Sequence, residues 1–154
     1  MQKVNIGDAE VAKPQFQVYG DWLSEFAWSH YAKLTFREQV GATTARRTFH
    51  RWKRKMSARE HRRIEYVLVV ERAFPGDNLH LHALLAGTQG VKMRRWAKRW
   101  FLKAGWAQIT AYDPEQGIRY YVGKKFVKGE AEIVVSPGLR STAKLDMLSD
   151  GSQN

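Results

Sequence analysis

The sequence predicts an α+β fold, a five-stranded antiparallel sheet with flanking helices, and three observations predict it. Runs rich in β-branched, aromatic or alternating apolar residues recur at Tyr31–Arg37, Ile64–Arg72, Leu79–Ala86, Trp106–Tyr112 and Ala131–Ser136. Between them, Ala45, Phe49, Trp52 and Met56 fall at helical spacing, as do Met93, Trp96, Ala97, Trp100, Phe101 and Ala104. The second and third strand-like runs are separated by Phe74-Pro75-Gly76-Asp77-Asn78, a turn sequence that folds one back onto the other as a hairpin.

A chain of 154 residues is the length of one domain with a real core. Residues 1–30 read as an N-terminal arm or short helix, in which Trp22, Leu23 and Phe26 can form a stripe. Residues 31–136 carry the periodic elements, and residues 137–154 form a polar, turn-rich tail.

Tyr31–Arg37 is expected as the first and central strand, with Lys33, Thr35 and Arg37 on one face. After Gly41, Thr43 or Thr44 can cap a helix whose Arg46, Arg47, Arg51, Lys53, Arg54 and Lys55 lie off the apolar stripe. The helix at Val91–Ala104 is stopped by Gly105. Asp113-Pro114-Glu115-Gln116 starts a further helix, with Asp113 as cap and Gln116 placed for a capping box. That helix is expected to run toward Lys128, with Tyr121, Lys124 and Lys128 on one side and Ile118, Val122 and Phe126 on the neighbouring side.

The formal net charge of +11 and a pI near 10.1 point to a polyanionic partner. Six tryptophans and six tyrosines interleaved with the cations favour nucleic acid, whose bases aromatic rings can stack upon. No long apolar run and no signal-peptide pattern supports a membrane partner. The absence of cysteine excludes disulfides and thiolate metal sites, and fits a reducing, cytoplasmic setting.

Candidate chemistry concentrates in Asn78–Gly87, where His80 and His82 stand two residues apart in a strand-like run and so share one face. A core has little use for two adjacent polar rings, whereas two neutral imidazoles supply half of a divalent metal site. The hairpin brings the preceding strand against them. That strand offers Glu65 and Glu71 on one face, and Glu71 is preferred because it is nearer the turn. Two imidazoles and a carboxylate with open positions suit Mg2+ or Mn2+ acting on phosphate oxygens.

Three segments together carry a resemblance. Lys33-Leu34-Thr35-Phe36, His80-Leu81-His82 and Tyr121-Val122-Gly123-Lys124 resemble, in this order, the motifs of HUH endonucleases of the rolling-circle replication initiator (Rep) type. The likeness spans about Tyr31 to Ser136. It implies a ferredoxin- or RRM-like core, a Mn2+ or Mg2+ ion held by Glu71, His80 and His82, and Tyr121 as nucleophile with Lys124 beside it. It also implies a metal-dependent, sequence-specific endonuclease and strand transferase on single-stranded DNA. Such an enzyme forms a covalent 5'-phosphotyrosine intermediate and initiates rolling-circle replication of a plasmid, phage or virus.

Conjugative relaxases carry the tyrosine ahead of the histidines, whereas here it follows. Lys125 stands where two-tyrosine relatives place a second tyrosine, which implies a single catalytic tyrosine, and Tyr120 is assigned to packing or base stacking. A Gly-rich phosphate loop is absent from these residues, so strand opening is expected from a host or separately encoded helicase. The expected partner is single-stranded DNA at a replication origin, contacted by Lys33, Arg37, Arg46, Arg47, Arg51, Lys125 and Lys128, with the protein a monomer. Two other readings share the same residues: a single-tyrosine HUH transposase, and a non-enzymatic ferredoxin-like nucleic-acid-binding module. Two-histidine phosphoesterases are disfavoured, since they need two His-x-Thr or His-x-Ser motifs.

Overall fold

A computed structural model describes residues 21–72, 78–116 and 131–139. In chain order its elements are β1 (Trp28–Thr35), α1 (Ala42–Glu60), β2 (Glu65–Arg72), β3 (Leu79–Ala86), α2 (Met93–Lys103), β4 (Ala107–Ala111), a 3-10 turn at Pro114–Gln116 and β5 (Glu132–Val135). The strands form one sheet in the order β4-β1-β3-β2-β5, with every neighbouring pair antiparallel. The expected α+β fold is therefore the observed one. The strand at the middle is β3, and β1 lies one place toward the β4 edge.

Alternation along the strands divides the core between the two faces of the sheet. On one face Ala32 and Leu34 of β1, Tyr66, Leu68 and Val70 of β2, and Leu79, Leu81, Ala83 and Leu85 of β3 pack against the stripes of α1 and α2. Both stripes follow the periodicity: α1 buries Ala45, Phe49, Trp52 and Met56, and α2 buries Met93, Trp96 and Trp100. The three buried indoles each donate to an internal acceptor, Trp52 to the Trp96 carbonyl (2.9 Å), Trp96 to Glu60 (3.0 Å) and Trp100 to the Thr35 carbonyl (3.0 Å). This removes the cost of burying their N–H groups.

The other face is covered more thinly. Val67 and Val69 of β2, Leu84 of β3 and Trp28 and Tyr31 of β1 cluster there with Leu23 and Leu139. Residues 21–24 are helical and bring Leu23 into this cluster fully buried, and the Trp28 indole donates to the Leu23 carbonyl. Their stripe thus serves as a partial cover for the sheet, and β1 starts at Trp28, three residues ahead of its predicted start.

Several local expectations differ from the structure. Gly41 occupies the N-cap of α1 with no side-chain cap bond, while Thr48 Oγ1 donates to the Thr44 carbonyl one turn back. Phe101 is 54% exposed, because α2 turns only its Met93, Trp96 and Trp100 edge to the sheet. Gly105 ends α2 through space and not through a left-handed cap: a Cβ there would lie 2.3 Å from the Thr35 carbonyl oxygen. The left-handed cap belongs to His61 after α1, with φ 53°. The Asp113 cap forms, accepting from the Glu115 amide at 2.9 Å. The remainder of the predicted helix lies outside the described residues.

Candidate active site

Register alone brings the candidate ligands together. Glu71 of β2 is the direct partner of His80, whose partner on the other side is Thr35 of β1. One step along, Val69, His82 and Lys33 form the next cross-strand row. Glu71, His80, Thr35, His82 and Lys33 therefore all stand on the sheet face opposite α1 and α2. Within this patch the Glu71 carboxylate meets His82 diagonally, with Oε1 2.7 Å from Nε2. Their side chains are 15% and 12% exposed, so the pair is largely withdrawn from water but reachable from that face.

A third group completes the contact. The Tyr31 hydroxyl lies 2.7 Å from His82 Nδ1, and its ring stacks on the imidazole at 6.1 Å between centroids. Burial lowers the His82 pKa; Glu71 opposes this, and Lys33 and His80 reinforce it. His82 is thus neutral at neutral pH. Its Nε2–H donates to the carboxylate, and its Nδ1 accepts from Tyr31. Lys33 Nζ sits 5.9 Å from the centre of the Tyr31 ring, which places an exposed cation beside the patch.

Glu65, the alternative carboxylate, is at the far end of β2, roughly 20 Å from Glu71 at about 3.3 Å per residue. It is occupied there by Arg63, at 3.0 Å, and by the Ser136 hydroxyl. Of the two carboxylates only Glu71 stands beside the histidines. One carboxylate and two imidazoles on a single half-buried patch, one of the rings held neutral, suit a hard or borderline divalent cation. The three are not gathered into one ligand cluster: among the described residues no group of three His, Cys, Asp or Glu side chains is arranged to hold a metal.

The proposed DNA-contacting residues divide between the faces. Lys33 is on the patch. Arg37 is not, because β1 ends at Thr35 and the alternation stops with it; its guanidinium turns toward the helical side, donates to the Phe101 and Leu102 carbonyls and lies over the Phe101 ring at 5.2 Å. Arg46, Arg47 and Arg51 are carried on α1, and Arg46 is engaged by Glu132 of β5. Tyr121, Lys124, Lys125 and Lys128 lie outside the described residues. Tyr31 belongs to none of the sequence motifs, although it has the same parity as Lys33 and Thr35 along the strand.

A family model for a replication-associated protein of the ORF2 type matches residues 29–130, from the start of β1 past β4. The chain belongs to this replication-associated protein family. That membership makes it a replication protein and agrees with the five-stranded sheet and with the motif order in the sequence. No curated protein and no solved structure matches the chain. Among the described residues no helix is long and apolar enough to cross a membrane.

Proposed function

We propose that this member of the replication-associated protein family is a single-tyrosine HUH endonuclease that nicks and rejoins single-stranded DNA to initiate rolling-circle replication. The observation that carries the reading is the Glu71–His82–Tyr31 contact with His80 in the adjoining row, an ionisable patch in the middle of a sheet that packing does not require. Membership of a replication family supplies the biological setting.

Glu71, His80 and His82 would hold a divalent cation, Mn2+ or Mg2+. Bound there, such an ion supplies Lewis-acid polarisation of the scissile phosphate. The chain's own groups do the rest. Tyr31 fixes the plane of His82, and because a hydroxyl both donates and accepts it serves either imidazole tautomer. Lys33, exposed at the edge of the patch, attracts the phosphate backbone. Tyr121 attacks phosphorus through its phenolic oxygen. The bond to the 3'-oxygen breaks, leaving a 5'-phosphotyrosyl link and a free 3'-hydroxyl able to prime synthesis. One phosphodiester replaces another, so the reverse attack by a 3'-hydroxyl reseals the strand. A phenol of pKa about 10 needs help at neutral pH, and the Lys124 ammonium favours its ionised form. A host or separately encoded helicase would open the duplex, and a monomer would suffice for the cut.

The test uses single-stranded oligonucleotides tiling the origin of the replicon that encodes the protein, with Mn2+ present. Label on the 3' side of the cut should appear in a covalent protein–DNA species on a denaturing gel, and label on the 5' side in a shortened strand ending in a 3'-hydroxyl. Binding without any cut strand or covalent species would favour the non-enzymatic nucleic-acid-binding module instead.

A further inference from the structure

On the opposite side of the sheet from the Glu71–His82 pair, α1 and α2 lie apart over a groove of about 540 Å3. Its floor is Trp52, Trp96 and Trp100, whose indole N–H groups are already spent on internal acceptors. The floor therefore offers a ligand no donor. Its rim is cationic, with Arg51 and Lys55 one turn apart on α1 facing Arg99 and Lys103 one turn apart on α2. No carboxylate lines the groove. Among the described residues none of these four cations has an ion-pair partner, Arg99 instead lying over the Trp96 ring at 5.3 Å.

At Thr48 and Lys103 the groove continues into a second hollow of about 260 Å3 that reaches Arg37. That end carries two aromatic side chains that the core does not use, Phe101 and Trp106, each 54% exposed. It is also the end of the sheet nearest the candidate site. Thr35, the cross-strand partner of His80, is two residues from Arg37 and receives the Trp106 amide on its Oγ1 at 3.1 Å.

We infer that this groove is a track for single-stranded DNA flanking the scissile phosphate, entered past Arg37, Phe101 and Trp106 and lined by Arg51, Lys55, Arg99 and Lys103. Unpaired cations at helical spacing around an apolar floor suit a phosphate backbone. Exposed rings at the mouth suit unpaired bases, which a duplex does not present. The inference rests on the nickase reading only for what lies at the other end of the strand; the groove itself stands on its charge and shape.

The full chain is titrated, by fluorescence anisotropy over a range of salt, with single-stranded oligonucleotides of about 8 and about 24 nucleotides, one near and one beyond the span of a single binding groove. Arg51→Gln/Lys55→Gln/Arg99→Gln/Lys103→Gln is compared with the charge-matched Arg54→Gln/Arg59→Gln/Lys92→Gln/Arg94→Gln, whose residues do not line the groove. The groove variant should flatten the slope of log K against log salt for the long strand by up to about 2.8, at about 0.7 per phosphate released. The charge-matched variant should flatten it by less than half of that. Phe101→Ala/Trp106→Ala should weaken long-strand binding by about tenfold or more through lost stacking. If the fourfold variant is unstable, Arg51→Gln/Lys55→Gln, both exposed on α1, should give a loss of about 1.4.

Equal losses in the two fourfold variants would overturn the track, as would a duplex of the same length that binds as tightly and loses as much. Formation of the covalent species on the short strand is read in the same samples and should survive in the groove variant. A groove effect without any covalent species would uphold the track and overturn the nickase.

Discussion

Tyr31→Phe removes one oxygen and leaves the ring that stacks on His82 and lies beneath Lys33. The lost bond is the 2.7 Å contact to His82 Nδ1, on an imidazole whose side chain is only 12% exposed, so water replaces the hydroxyl poorly. Leaving a buried acceptor without its donor costs about 1–3 kcal/mol, which lowers Tm by about 2–4 °C for each kcal/mol at this chain length. Tyr66→Phe provides an internal control. Its hydroxyl lies 3.2 Å from His50 Nδ1, the same pairing of groups, on the helical side of the sheet away from Glu71. Both variants should lose stability to a comparable degree in a calorimetric melt. Only Tyr31→Phe should weaken Mn2+ binding, by about 10- to 100-fold, when free Mn2+ is followed by electron paramagnetic resonance, because only Tyr31 orients a proposed ligand. An unchanged Mn2+ affinity in Tyr31→Phe, or an equal loss in Tyr66→Phe, would refute the positioning role.

Other outcomes follow from the same structure. Glu71→Gln keeps the shape of the side chain but removes the charge that faces His82, and should abolish DNA cleavage while leaving single-stranded DNA binding in EDTA within about threefold of wild type, since binding is assigned to cations and not to the metal patch. Burial lowers the pKa of His30 and of His50, the latter also under Lys53, Arg54 and Arg46. Each is then neutral in the fold and protonated sooner in the unfolded chain, so Tm should be level above about pH 6.5 and fall as pH drops below it. A Tm that rises on acidification through that range would contradict the assignment. Gly87→Ala would place a Cβ 2.1 Å from the Arg63 carbonyl oxygen at a position with φ +91°, and should lower Tm more than any of the surface cation changes, as read by circular dichroism.

The sequence carried the periodic parts of this fold and lost the parts that depend on register. The α1 stripe and the shared face of His80 and His82 follow from spacing alone, and both stand in the structure as spacing required. The hairpin likewise fixed which carboxylate would meet the histidines, since a turn after Arg72 makes Glu71 their neighbour and Glu65 remote. Alternation could not say that β1 would pair with β3, and so could not bring Tyr31 to His82. Nor could it foresee that β1 stops at Thr35, which sends Arg37 to the helical side. Phe101 fell on the predicted stripe of α2 but at its margin, where a short helix over a twisted sheet leaves one edge uncovered. The basic groove was invisible for a related reason: Arg51, Lys55, Arg99 and Lys103 looked like separate solvated charges until two helices brought them to one rim.

The most direct test of the central claim is the covalent species itself, formed from a 3'-labelled origin oligonucleotide and Mn2+ and resolved on a denaturing gel for four proteins side by side. Wild type and Tyr120→Phe should carry the label. Tyr121→Phe and His82→Ala should not, and peptide mapping of the labelled wild-type protein should place the nucleotide on Tyr121. Label retained in Tyr121→Phe, or mapped to any other residue, would contradict the account.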